Sequence, residues 1–352
     1  MSCFRPAFCL MALTMMLLCV SPPGADAESS GIAEKKPVIA GSCATCPWGE
    51  IAEFVKEAMK PEGYDVQICF NCNRVDSPRF VAEGLKPPPL APADAAVGTT
   101  SRPDGPVDFG VTDALRAKWA YDAIYDYKDD KPHKNLRLVA LIEDPVYFII
   151  AVKANSDITN LRQIADTRMP VRIMTEGGPL IDPILDYYGL TKKNVESWGG
   201  RFAFIMAREK PDFDVMISAI GSLANNPESN AWYEMSQKFG LRYLELAPDL
   251  RAKMAAEFGL SNVELPQGYL RGVSRDIPTL GRSGDAILVR DDAPDGFAYD
   301  VAKAVDQHRD RLKWYDRPYS YDPRTVWQDF DVPLHPGAAR YYRENGYGHQ
   351  GG

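Results

Sequence analysis

Histidine is scarce in this sequence, and the motifs that usually mark an enzyme are missing. The 352 residues include only four histidines, which are scattered and stand beside no serine or cysteine in a nucleophile arrangement. Gly-x-Ser-x-Gly, His-x-x-x-His, Gly-Lys-Ser/Thr and a dinucleotide fingerprint are all absent. The sequence therefore predicts a protein that is not an enzyme and that carries no cofactor.

Positive charge is also in short supply. Forty Lys and Arg residues against 48 Asp and Glu residues give a formal net charge of −8, and no basic cluster interrupts this balance. Because nucleic acids and anionic membrane surfaces are bound mainly through positive charge, we expect neither as the main partner.

A long apolar run without charged residues lies near the N-terminus. Arg5 precedes an apolar run from Phe8 to Val20, and Ala25-Asp-Ala27 has the small-x-small pattern of a cleavage site. This pattern predicts that residues 1–27 form a cleavable signal peptide, since the run is too short to span a bilayer. Leu18 before Cys19 favours simple cleavage over lipidation. We therefore expect export to the periplasm.

Cysteine is concentrated in one stretch of the mature chain. Of the seven cysteines, three lie in the signal segment, and the other four form two Cys-x-x-Cys pairs, Cys43/Cys46 and Cys69/Cys72. In an oxidising compartment an even number predicts two disulfides, with three connectivities open. Two alternatives remain: a zinc site, and a thiol-redox turn in which the start of a helix lowers the pKa of Cys43.

Strands alternate with helices along the chain, which predicts an α/β fold. Its length allows two lobes. Glu143-Asp-Pro145 interrupts a long apolar run, and we interpret it as the crossing from the first lobe to the second, with Ile287–Arg290 as a return strand. The predicted boundaries are 28–143 with 286–352 for lobe 1, and 144–285 for lobe 2.

Apolar residues recur at helical spacing in three further segments. The patterns predict helices over Ala114–Tyr127, Leu180–Tyr188 and Asp295–Trp314. The second follows Gly177-Gly178, a turn that could bind an anion through free N–H groups or serve only as a structural turn.

The short polar loops after the predicted strands form the candidate ligand site. Because such loops meet at the carboxyl ends of strands in open α/β sheets, we expect them to face a shared cleft that closes on a small polar or anionic solute. The candidate residues are Ser42, Cys43, Ala44, Thr45, Trp48, Arg74, Asp76, Ser77, Thr112, Asp113, Thr175, Glu176, Gly177, Gly178, Ser218 and Ser222.

The C-terminal stretch Asp331–Gly346 closely resembles the closing signature of TAXI-type solute receptors. Asp276–Gly281 with Ala286–Asp292, Val107–Thr112 and Val152–Ser156 resemble further family segments in the same order. The resemblance implies a two-lobed type II periplasmic-binding-protein fold, each lobe a mostly parallel sheet flanked by helices. It also implies delivery of a solute, such as an organic acid or an amino acid, to TRAP-type membrane permease subunits.

The loops depart from the family pattern. Gly41–Trp48 replaces a Gly/Thr run, Cys69–Ser77 replaces Gly-Gly-Ser, and Gly177–Leu180 lacks the hydroxyls of Gly-Ser-Gly-Thr. An arginine could instead supply a bidentate contact to a solute carboxylate, and the candidates are Arg74, Arg79 and Arg172. The alternative for each is an ordinary surface arginine. The alternative function is a periplasmic thiol-redox or metal-handling protein that uses the four cysteines.

Overall fold

The computed structural model describes residues 31–44, 46–72, 75–90, 102–142, 145–205, 207, 212–221, 230–315, 320–328 and 330–348. The predicted signal peptide lies outside these residues. Twelve strands occur in the described part of the chain: β1 (Val38–Ala40), β2 (Gln67–Cys69), β3 (Val107–Asp113), β4 (Leu136–Ile142), β5 (Val146–Lys153), β6 (Arg172–Thr175), β7 (Arg201–Phe204), β8 (Val215–Gly221), β9 (Leu241–Leu244), β10 (Ser261–Leu265), β11 (Ile277–Arg282) and β12 (Asp285–Arg290).

Eleven α-helices lie between and after these strands in the described residues. They are α1 (Pro47–Met59), α2 (Ser77–Glu83), α3 (Ala114–Asp122), α4 (Leu161–Thr167), α5 (Asp182–Tyr187), α6 (Lys192–Ser197), α7 (Ala231–Lys238), α8 (Pro248–Phe258), α9 (Asp295–Gln307), α10 (Arg309–Tyr315) and α11 (Pro336–Glu344). None of the helices among these residues has both the length and the apolar character needed to cross a bilayer.

The first sheet has the strand order β2-β1-β3-β12-β4. Successive β1 residues face opposite sides of it, so Ile39 packs in one hydrophobic cluster while Val38 and Ala40 pack in another. Helices α1, α9 and α11 cover one face, and α2 and α3 pack near the other. We call this sheet with its helices lobe 1.

The second sheet contains the strands from β5 to β11, in the order β10-β11-β5-β8-β6-β7 with β9 also paired to β5. We call this sheet with its helices lobe 2. The chain passes from lobe 1 to lobe 2 between β4 and β5, and returns between β11 and β12. The α/β fold with two sheets is therefore confirmed.

Both sheets are mixed, but most of the described strands in each sheet run in one direction, as expected. In lobe 1, β1, β2, β3 and β4 share one direction and β12 runs against them. In lobe 2, β6, β7, β8, β9 and β11 share one direction, and β5 and β10 run against them. Three strands, β5, β11 and β12, lie next to the crossings between the lobes. Each of them pairs antiparallel with its neighbours in the sheet.

The predicted helices are present but shorter. Helix α3 ends at Asp122, and α5 begins at Asp182 rather than Leu180, with Pro183 in its first turn. The segment Asp295–Trp314 is two helices, because α9 ends with His308 as its C-cap residue.

Candidate functional site

A cleft with a cavity volume of about 50 Å³ lies between the two lobes. Lobe 1 contributes the end of β3 and the start of α3, and lobe 2 contributes the turn after β6 and the ends of β8 and β11. The cleft is lined by Asp113, Leu115, Arg116, Trp119, Glu176, Gly177, Pro179, Leu180, Ala219, Ile220 and Arg282. The structure thus brings strand ends of both sheets to one cavity.

Arg282 is a buried cation in this cleft. It is the last residue of β11, and only 5% of its surface is exposed. Its Nε donates to the Ala219 carbonyl at 3.1 Å and its Nη1 to the Ser283 carbonyl at 3.1 Å. Within the part of the chain that the structure describes, no carboxylate lies in ion-pair contact with Arg282. A buried charge without a counter-ion is costly, so the site favours an anion.

Glu176 forms part of the opposite wall. The Ala219 N–H donates to its Oε1 at 2.6 Å, while its Oε2 is buried without a hydrogen-bond partner among the described residues. Burial raises the pKa of the Glu176 carboxyl to about 7, although hydrogen bonds from Ala219 and Ser218 and the charge of Arg282 act to lower it. Near neutral pH this group can therefore either accept or donate a hydrogen bond.

The lobe 1 wall is electrically balanced. Asp113 caps helix α3 by accepting the Arg116 N–H at 3.0 Å, and its other oxygen accepts from Arg116 Nη1 at 2.6 Å. Arg116 Nε also lies 3.3 Å from Asp126. Arg116 is thus already neutralised by two carboxylates, unlike Arg282.

The other predicted residues in or after β3, β6 and β8 stabilise the strand ends and turns beside the cleft. Thr112 is buried within β3, and Ser218 Oγ accepts from the Ile220 N–H at 3.1 Å. Thr175 Oγ1 accepts from the Gly177 N–H at 3.1 Å. Gly177 and Gly178 have φ values of 67° and 91°, which favour glycine. Helix α5, which follows, has only six residues and begins beyond the turn.

The predicted residues after β1 and β2 lie in lobe 1. Ser42, Cys43 and Ala44 form the loop before α1 and are not among the residues that line the cleft. Trp48 Nε1 donates to Asp285 Oδ1 at 3.0 Å, where the chain returns from lobe 2. Thr45, Arg74 and Ser222 lie outside the described residues.

The loop before α2 serves the packing of lobe 1. Asp76 pairs with Arg79 at 2.7 Å. Ser77 is fully buried, and its Oγ would lie 2.7 Å from a Cβ placed at Gly110 of β3. The close approach of α2 to β3 explains why a glycine occupies that strand position.

The four cysteines are joined within each pair, Cys43 to Cys46 and Cys69 to Cys72. This is one of the three connectivities that the sequence left open. Strands β1 and β2 are parallel neighbours with Ala40 opposite Cys69, so both Cys-x-x-Cys loops leave the same edge of the sheet. Among the described residues no group of histidine, cysteine and carboxylate side chains could hold a metal ion.

Two of the candidate arginines are engaged elsewhere. Arg172 holds Asp214 in a bidentate pair, with Nε–Oδ2 and Nη2–Oδ1 distances of 3.0 and 2.9 Å. Arg79 contacts both Asp76 and Asp130. Since each guanidinium is already paired with carboxylates, neither Arg79 nor Arg172 is favoured as the solute-binding arginine.

Sequence reasoning missed Arg282, Arg116 and Trp119. Arg282 ends a strand just before the chain returns to lobe 1, and a charged residue at that position was the available signal. Trp119 is a buried residue of α3 that is 1% exposed, and it also lines the cleft.

Several solved structures resemble this chain. The second substrate binding domain of a putative amino acid ABC transporter from Streptococcus pneumoniae is 11% identical over 79% of this chain and 96% of that chain, with a TM-score of 0.36. The periplasmic aliphatic sulphonate binding protein from Escherichia coli is 13% identical over 80% of this chain and 75% of that chain, with a TM-score of 0.39. Immunogenic lipoprotein A from Vibrio vulnificus is 13% identical over 79% of this chain and 99% of that chain, with a TM-score of 0.37. At these identities and TM-scores the likeness transfers no ligand.

The match to a protein-family model is more extensive. The model of the NMT1-like family matches residues 102–346, which include the lobe 1 wall of the cleft, all of lobe 2, the return strand and α11. This match spans more than half of the 352 residues. The chain therefore belongs to the NMT1-like family.

Proposed function

We propose that this chain is an exported solute-binding protein that captures a small anionic solute in the cleft between its lobes. The observation that carries the proposal is the buried guanidinium of Arg282, which faces the cleft with main-chain carbonyls as its hydrogen-bond partners. A carboxylate or similar anion on the solute would provide the missing counter-charge. The role is binding without catalysis, and organic acids and amino acids are the solute classes to test first.

Glu176 would select among anions. Its unpartnered Oε2 can accept a hydrogen bond from a hydroxyl or ammonium group when ionised, and donate one when protonated. The residues on the two walls belong to different sheets, and the chain crosses between them twice. Closure of the lobes about these crossings would therefore bring Arg282, Glu176 and Trp119 around the solute.

The finer assignment rests on the resemblance of Asp331–Gly346 to TAXI-type receptors. We propose on that basis that the protein acts in the periplasm and delivers its solute to TRAP-type permease subunits. The lobe boundaries proposed are 28–143 with 286–352, and 144–285. Co-purification of a membrane permease with the tagged protein tests the delivery step, and a partner that is not a TRAP-type permease contradicts it.

Thermal denaturation with a panel of organic acids and amino acids tests solute binding. A ligand that binds only the folded protein raises its unfolding temperature by mass action. Arg282→Gln should weaken the binding of any such ligand by about 10- to 100-fold, the value of a charge-assisted hydrogen bond. Arg282→Lys keeps the charge but loses the planar fork, so its affinity should be intermediate.

Arg271→Gln is the matched control, since Arg271 is an exposed arginine of lobe 2 that does not line the cleft. It should bind like the wild-type protein. Circular dichroism establishes that each variant is folded. Failure of the whole panel to shift the unfolding temperature, or equal affinity in folded Arg282→Gln, refutes the proposal.

A further inference from the structure

The two disulfides differ in their access to solvent. Cys43 is partly exposed, whereas Cys46 is 3% exposed and Cys69 and Cys72 are both 0% exposed. Thiol–disulfide exchange requires a thiolate to reach one sulfur of the bond. Among the four cysteines, Cys43 is therefore the one that an external thiolate can approach in the folded protein.

The loop that carries Cys43 is tightly held. Ser42 has a φ of 67°, a left-handed conformation that is unfavourable for a residue other than glycine. The Cys43 N–H donates to the Gly41 carbonyl at 2.9 Å, and a Cβ at Gly49 would lie only 1.8 Å from the Cys43 oxygen. The loop is thus pressed against the first turn of α1, and opening the Cys43–Cys46 bond would allow the Ser42 backbone to relax.

The second disulfide lies within the packing of lobe 1. Cys69 ends β2 opposite Ala40 of β1, and both Cys69 and Cys72 belong to the same hydrophobic cluster as Val81 and Val107. An external thiolate would have to open this cluster to reach either sulfur. The bond between Cys69 and Cys72 is therefore protected while the lobe remains folded.

We propose that Cys43–Cys46 is a thiol-exchange site that an external dithiol reduces in the folded protein, while Cys69–Cys72 remains intact as a structural bond. This activity is separate from solute binding in the cleft. It uses the Cys-x-x-Cys-Pro turn, which the cleft does not require.

The exchange conserves electrons and protons. A thiolate of the dithiol attacks Cys43 Sγ, the Cys43–Cys46 bond breaks, and Cys46 leaves as a thiolate. The second thiolate of the dithiol then attacks its own sulfur in the mixed disulfide and releases Cys43. The dithiol becomes a disulfide, and its two electrons and two protons end on Cys43 and Cys46.

The position of Cys46 contributes to this step. It is the N-cap residue of α1, a helix of 13 residues, where the helix dipole stabilises a thiolate leaving group. Glu50 in the same first turn opposes this effect. The exchange at this disulfide is therefore expected from the accessibility of Cys43 and not from an unusually low thiol pKa.

Selective reduction of the native, mature protein tests it. The protein is incubated with dithiothreitol, samples are quenched at intervals with an excess of N-ethylmaleimide, and the labelled cysteines are mapped by peptide mass spectrometry. The Cys43–Cys46 bond should be reduced, and its cysteines labelled, at least on the order of tenfold faster than Cys69–Cys72. In urea, where the burial of Cys69 and Cys72 is lost, the difference should disappear. Equal rates in the folded protein, faster reduction of Cys69–Cys72, or no reduction of either bond overturns the proposal.

A matched pair of variants tests which sulfur is attacked. Cys46→Ser leaves Cys43 as a free, partly exposed thiol, and Cys43→Ser leaves the buried Cys46. Cys46→Ser should react faster with an aromatic disulfide reagent and should form the mixed disulfide. The reverse order overturns the proposal, and the wild-type measurement decides if either variant fails to fold.

Discussion

Glu176 is a carboxyl group whose surroundings oppose its ionisation. Its folded-state pKa of about 7 lies above the ordinary value of 4.5, chiefly because the group is buried. The folded state therefore binds this proton more tightly than the unfolded state does. By linkage, the contribution of Glu176 to the free energy of unfolding decreases as the pH rises from about 4.5 to about 7.

Glu176→Gln should remove this dependence. A glutamine can still accept the Ala219 N–H, but it has no charge to bury. Relative to the wild-type protein, the variant should gain about 3 kcal/mol of unfolding free energy between pH 4.5 and pH 8, the equivalent of the pKa shift. Urea denaturation at the two pH values measures the difference.

The control for this experiment is Glu234→Gln, since Glu234 is an exposed residue of α7 in the same lobe. It should leave the pH dependence as in the wild-type protein. If Glu176→Gln and the wild-type protein show parallel stability profiles from pH 4.5 to pH 8, Glu176 is not the titrating group and the argument for its raised pKa fails.

At the scale of single elements, Tyr341 of the C-terminal stretch Asp331–Gly346 helps to hold α11 against α9 in lobe 1. Asp306 of α9 accepts hydrogen bonds from the hydroxyls of Tyr321 at 2.7 Å and of Tyr341 at 2.5 Å. Tyr347 also donates to it, and Arg309 Nη1 lies 2.8 Å from it. Although burial acts in the opposite direction, these contacts lower the pKa of Asp306.

Asp306→Ala should therefore destabilise the protein by about 3–5 kcal/mol, because three tyrosine hydroxyls and one guanidinium would lose their shared acceptor. Urea denaturation measures this change. Asp310→Ala, which alters an exposed residue of α10, should change the stability by less than about 0.5 kcal/mol. A small and equal effect of both substitutions contradicts the structural role of the cluster.

Elements were predictable where the signals are local. Pro47 marks the start of α1, and Gly63 marks the end of the turn that follows this helix. No proline or glycine next to His308 signals the break between α9 and α10. Strand directions depend on pairing between distant segments, and so the antiparallel entry of β5, β11 and β12 was not predictable from periodicity.

The same difference between local signals and contacts of distant segments explains which residues of the candidate site were predictable. Asp113, Glu176 and Gly177 were predicted because each directly follows or ends a recognisable strand. Arg282 was missed because its role depends on burial against Ala219, 63 positions earlier in the chain. Arg172 was misjudged for the same reason, since its partner Asp214 is distant in sequence.

At the scale of the whole molecule, an aromatic contact beside the cleft joins the two lobes. Tyr125, which follows α3 in lobe 1, stacks on Phe258 of α8 in lobe 2 with ring centroids 5.2 Å apart. Its hydroxyl donates to the Glu257 carbonyl at 3.0 Å, and its ring lies 4.6 Å from that of Trp119, which lines the cleft. Tyr125 has a φ of 50°, an unfavourable conformation that this packing maintains.

Tyr125→Ala should shift the two lobes toward a more open arrangement. The stacking and the hydrogen bond together contribute about 1–2 kcal/mol, so their loss should change the open-to-closed ratio by roughly 5- to 30-fold. Small-angle X-ray scattering should show a larger radius of gyration, and the affinity for a solute identified in the thermal screen should fall, because closing the cleft now costs more. Tyr125→Phe keeps the ring, so its radius of gyration and its affinity should lie between those of the wild-type protein and Tyr125→Ala.

Tyr187→Ala is the matched control for this variant. The hydroxyl of Tyr187 also donates a hydrogen bond, in this case to the carboxylate of Asp249, but both residues belong to lobe 2. Its loss therefore removes a tyrosine contact of similar kind without affecting the junction between the lobes. If Tyr125→Ala remains folded and matches Tyr187→Ala in both radius and affinity, the Tyr125–Phe258 contact does not hold the lobes together. A difference confined to Tyr125→Ala would instead show that closure depends on a contact outside the solute cleft.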